Sequence, residues 1–114
     1  MTVKTDDVVI EGLQDWKQDI LNAQSEQEEG LAELKNEMKI LLAKRRCLQS
    51  AKSVVEGNKG ARKNTIFDMA AQLEEDRKQL EKDINQLESQ INTQKEVDEV
   101  LLSEIDKSVG LLNK

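Results

Sequence analysis

From Ile66 to Leu112 an apolar rhythm of threes and fours runs along the chain, without a proline to interrupt it. Two interleaved series define it. Ala70, Arg77, Ile84, Ile91, Asp98, Ile105 and Leu112 recur at one heptad position, and Ile66, Leu73, Leu80, Leu87, Gln94, Leu101 and Ser108 at the other. Residues three and four apart share one face of an α-helix, so this stripe is a seam for packing against another helix over about six heptads. Its most regular part is QLEKDINQLESQIN, where Leu80, Ile84, Leu87 and Ile91 are the apolar residues and all others are polar. Isoleucine at one position with leucine at the other also suits two parallel strands. A parallel dimer zipped through this segment is therefore one arrangement the pattern permits.

The preceding segment carries the rhythm less regularly. Leu13, Trp16, Ile20 and Ala23 keep it near the N-terminus, and Leu31, Leu34, Met38, Leu41, Arg45, Leu48 and Val55 resume it. The step from Gln27 to Leu31 reads as a stutter, which locally unwinds a supercoil. Gly30 lies in that step and costs about 1 kcal/mol relative to alanine in a helix. Between the two segments, EGNKGARKNT (56–65) holds Gly57, Gly60, Asn58 and Asn64, the strongest helix-stopping cluster in the sequence. Asn64 or Thr65 is then the expected N-cap of the second helix.

The expected organisation is a flexible N-terminus over 1–6, a first coiled-coil helix over 7–55 with a kink near Gly30, a basic turn over 56–65 and a second coiled-coil helix over 66–114. The fold class is all-α: two long helices forming a coiled-coil hairpin, assembled into an elongated oligomeric bundle. Folding at the turn sets Leu41 against Ile84, Met38 against Leu87 and Gln27 against Asp98, which brings the polar interruptions of both segments to one level. If Gly30 ends a helix instead, three helices near 7–29, 31–56 and 65–113 form a bundle that resembles spectrin-type repeats, with Trp16 in the first helix.

Composition narrows the functions. One tryptophan, one phenylalanine and no tyrosine leave little material for a globular core, so apolar burial must come from a long aliphatic seam. Without histidine, and with Cys47 as the lone cysteine, neither a zinc site nor a base-activated nucleophile finds its residues. Gly57-Asn58-Lys59-Gly60 lacks the spacing of a phosphate loop and reads as a turn. No apolar run approaches the roughly 20 residues of a membrane span, and no secretory signal is evident. The expectation is a non-enzymatic protein without cofactor, metal or small-molecule substrate, not transmembrane and residing inside the cell, in the cytoplasm or nucleus.

Two features bear on partners. The seam residues Leu13, Trp16, Ile20, Leu34, Met38, Leu41, Leu48, Leu73, Leu80, Ile84, Leu87, Ile91, Leu101 and Ile105 point to helix–helix assembly with a second copy or another coiled-coil protein, in a structural or scaffold role. Separately, Lys44, Arg45, Arg46, Lys52, Lys59, Arg62 and Lys63 crowd into twenty residues with one carboxylate, Glu56. That stretch has a net charge of +6 in a chain whose total is −6. In a hairpin these cations gather at the closed end, where a polyanion (nucleic-acid backbone, anionic lipid or acidic protein surface) is the alternative partner.

Overall fold

A computed structural model describes residues 4–57 and 60–113. Among them the chain is helical throughout apart from the turn: α1 spans Lys4–Val55 and α2 spans Ala61–Leu112. No described helix is long and apolar enough to cross a membrane. Asp6 and Asp7 lie in the first turn of α1, where the helix dipole favours carboxylates. The first helix accordingly starts at Lys4, inside the stretch expected to be flexible. Gly30 is helical too, so α1 is one helix and not the two that a three-helix bundle requires. A Cβ at Gly30 would meet nothing within 4 Å, and no positive φ demands glycine there. The residue weakens the helix slightly without ending it.

The turn is shorter than the sequence suggests. Gly57 follows the last residues of α1 with φ 91° and Gly60 precedes α2 with φ 139°. Both lie in the left-handed region, which glycine enters without the Cβ penalty. The Asn64 amide already donates to the Gly60 carbonyl at 3.4 Å, an i→i−4 bond that begins α2. Ala61, Arg62 and Lys63 are therefore helical, and Asn64 and Thr65 lie inside α2 instead of capping it. Favourable helix propensities of Ala, Arg and Lys outweigh the pull of the flanking asparagines.

The chain divides into two compact units, Met1–Glu29 with Glu88–Lys114 (unit 1) and Gly30–Leu87 (unit 2). Unit 2 is a hairpin: the C-terminal part of α1, the turn, and the N-terminal part of α2 folded back. Its buried hydrophobic residues are Val55 and Leu80. Leu41 and Leu80 line one groove and Leu48 and Leu73 another, so α2 sits about one helical turn away from the register that paired Leu41 with Ile84. The early start of α2 at Ala61 accounts for that shift.

In unit 1 the N-terminal part of α1 runs antiparallel to the C-terminal part of α2. Lys17 Nζ meets Asp106 Oδ1 at 2.8 Å and Lys95 Nζ meets Glu28 Oε1 at 3.0 Å. Ile91 and Ile105 are its buried hydrophobic residues, and Asp98 is buried between them in sequence at 3% exposure. Asp98 accepts a hydrogen bond from Gln24 Nε2 at 2.8 Å and another from Gln94 Nε2 at 2.9 Å. The polar layer expected from sequence exists, but Gln24 occupies the place assigned to Gln27.

Candidate helix-packing groove and basic turn

Burial along α1 follows one unbroken heptad series. Ile10, Leu13, Lys17, Ile20, Gln24 and Gln27 are half-buried, and so are Leu31, Leu34, Met38, Leu41, Arg45 and Leu48. The steps alternate three and four throughout, with no stutter. Trp16 is consequently not a seam residue: it is 46% exposed, one position off the stripe, and Lys17 faces inward in its stead. The Lys17 side chain is 38% exposed, and its ammonium donates across the helix pair to Asp106 Oδ1. Extending the Leu31–Leu34–Met38 phase backwards finds Lys17 and Gln24. Choosing apolar residues alone finds Trp16 and Ala23.

The other seam residues lie inward. Leu80, Ile91 and Ile105 are buried, while Leu13, Ile20, Leu34, Met38, Leu41, Leu48, Leu73, Ile84, Leu87 and Leu101 are half-buried. In α2 the phase matches the heptads read from sequence, except that Gln94 is exposed and Val109 turns inward where Ser108 was expected. Arg77 holds a seam position and directs its guanidinium along its own helix. Nε and Nη2 donate to Glu74 Oε1 at 2.9 and 2.8 Å, and Nη1 to Glu81 Oε2 at 3.1 Å. The Arg77 hydrogen bond holds the Glu74 carboxyl below its usual range, and Glu74 in turn raises Arg77. Arg45 approaches Glu74 more loosely, at 3.9 Å.

One flank of unit 2 carries apolar surface that its own two helices leave open. Ile40, Ala43, Cys47 and Leu48 of α1, with Met69 and Leu73 of α2, line a groove of about 700 Å³. Ile40 is 56% exposed and Met69 55%, far more than their chemistry favours in water. The sequence marks Ile40 as one of several apolar residues off the seam, a surplus that suggests further helices, but does not single out Met69. Ile40, Ala43 and Cys47 step by three and four along the flank of the seam, a second apolar stripe beside the first. At the rim stand Lys44 on α1 and Asp76 on α2.

The basic turn is assembled from both helix ends. Lys44, Arg46 and Arg62 are exposed, whereas Arg45, Lys52 and Lys63 are half-buried; Lys59 lies outside the described residues. Lys52 Nζ stands 5.0 Å and Lys63 Nζ 5.7 Å from the centroid of the Phe67 ring, close enough for cation–π attraction. Unit 2 is thus an antiparallel helical hairpin with an apolar flank and a cationic end. No protein-family model, curated protein or solved structure matches the chain.

Proposed function

We propose that the protein is a non-enzymatic structural module that assembles by packing the apolar flank of unit 2 against helices of a second copy of the chain. The open groove lined by Ile40, Cys47, Met69 and Leu73 carries this reading. Burying a large aliphatic side chain gains about 1.5–3 kcal/mol, and Ile40 and Met69 forgo most of that in the isolated chain. The internal core is thin: Val55 and Leu80 are the buried hydrophobic residues of unit 2. The groove is also self-complementary in charge, since its two rims bear Lys44 and Asp76. A two-fold-related copy that lays α2 over α1 brings its Asp76 towards Lys44, and the reverse pair follows by symmetry.

Sedimentation velocity over a range of concentrations tests this. A species of two or more chains is expected, reverting to one chain in Ile40→Glu/Met69→Glu with helicity retained. A wild-type protein that stays monomeric at every concentration refutes self-assembly. If the monomer instead binds a different coiled-coil chain and the double variant does not, the flank serves a heterotypic partner.

A further inference from the structure

We propose that the turn end of unit 2 is a docking site for the phosphate headgroups of an anionic lipid surface. Lys52 and Lys63 come from seam positions on the two helices, yet their ammonium groups converge on one ring, that of Phe67. Two like charges brought to one aromatic side chain repel, and among the described residues neither forms an ion pair with a carboxylate; nor do Arg46 and Arg62. A shortage of acids is not the cause, because the chain has 23 carboxylates against 17 lysines and arginines. Other cations do find carboxylates: Lys17 pairs with Asp106, Lys95 with Glu28 and Arg77 with Glu74. Glu56 and Asp68 at this end are both exposed, and Glu74, which lines a groove with Lys52 and Phe67, is already engaged by Arg77 and Arg45.

The backbone adds to the excess. The first turn of α2 holds no acidic residue and carries Arg62 and Lys63 at the positive end of the helix dipole, the reverse of the favoured arrangement. A bound phosphate relieves both repulsions at once.

What selects a lipid surface over a polynucleotide is the apolar surface among the cations. Val54, one residue before the end of α1, is 78% exposed at the same turn end, and a phosphodiester backbone offers it nothing. The Phe67 face is approached by two ammonium groups, which leaves it poorly placed to stack on a base. At a membrane interface the exposed aliphatic group has a use: Val54 enters the headgroup–acyl boundary while lysine and arginine meet phosphates.

Flotation of the full chain with phosphatidylcholine vesicles, with and without phosphatidylserine, tests the proposal. Binding is expected with phosphatidylserine alone and is expected to vanish at high salt. It should weaken about fivefold for each cation removed in Lys52→Gln/Lys63→Gln and in the exposed pair Arg46→Gln/Arg62→Gln. Circular dichroism confirms that each variant is still helical. Val54→Asn should weaken binding at unchanged charge. The proposal falls if anionic vesicles do not capture the protein, if neutral vesicles capture it equally, or if helical Arg46→Gln/Arg62→Gln binds like wild type. Tighter binding to duplex DNA that ignores Val54→Asn overturns it in favour of a polynucleotide.

Discussion

The two units are built from the same two helices and treat polar residues in opposite ways. Unit 1 has five lysines and arginines against fourteen carboxylates, a net charge of −9; unit 2 has twelve against nine, a net charge of +3. In unit 1 polar side chains occupy seam positions and find partners across the helix pair, as Lys17 does with Asp106 and Gln24 with Asp98. In unit 2 the strong polar contacts run along one helix, from Arg77 to Glu74 and Glu81, and the apolar surplus spreads sideways to Ile40 and Met69. Cross-helix polar pairs specify which residues meet. Exposed apolar residues occur in both units, Val97 and Val100 in unit 1 as well as Ile40 and Met69 in unit 2, so the units differ in where their polar contacts run.

The largest expected effects come from the cores. Ile105→Ala in unit 1 and Leu80→Ala in unit 2 each remove a buried aliphatic side chain and should destabilise by about 2–5 kcal/mol. Hydrogen exchange then distinguishes the units: each substitution should reduce amide protection mainly in its own unit. Equal loss of protection in both units after either substitution would mean that the division has no energetic content.

Most of the fold was legible in the sequence because a heptad pattern encodes a helix face directly. The α2 phase read from Leu73, Leu80, Ile84 and Ile91 matches their observed burial. Reading failed where polar residues occupy seam positions. Hydrophobicity alone prefers Trp16 to Lys17, although a lysine stem buries well when a carboxylate such as Asp106 waits at its tip. The turn was overestimated for a related reason: Asn64 and Thr65 have capping chemistry, and their local preference yields to a helix that had already started at Ala61. Ile40 is legible as apolar surplus beside the seam, whereas its sharing a groove with Met69 needed the structure, because which side of a seam stays uncovered depends on how two helices turn towards each other.

The polar layer of unit 1 comes next in size. Gln24→Ala leaves one oxygen of buried Asp98 without its donor and should cost about 1–3 kcal/mol in urea unfolding. Replacing both partners, as Gln24→Leu/Asp98→Leu, should restore stability to the wild-type level or above, since a buried charge is then replaced by packing. That double variant should also lose register specificity, seen as additional cross-links between cysteines placed on α1 and α2 of unit 1. If Gln24→Ala is neutral, the layer does not control register and this contrast between the units disappears.

Gly30, the first residue of unit 2, gives a smaller and opposite effect. Its Cβ position is open and it sits within a continuous helix, so Gly30→Ala should stabilise by about 1 kcal/mol. Thermal melting followed by circular dichroism measures this. A lower melting temperature would show that the helix needs glycine at this position.

The smallest effect separates the units by pH. In unit 2 the hydrogen bond from Arg77 holds the Glu74 carboxyl below its usual range. A carboxyl whose folded value is depressed contributes stability above its unfolded value, about 4.3, and loses it as pH falls through the lower, folded value. Arg77 stays charged throughout, so the change follows Glu74 alone. Glu74 is solvent-accessible, which keeps the contribution modest and sensitive to salt. Unfolding measured from neutral pH down through the carboxylate range should therefore show a shallower acid limb in Glu74→Gln than in wild type. The difference should shrink as salt is added. The same measurement on Lys17→Met, which removes an ion pair in unit 1, should leave this part of the acid limb in place. An acid limb unaltered by Glu74→Gln would mean that the Arg77 contact, though short, does not survive exposure to water.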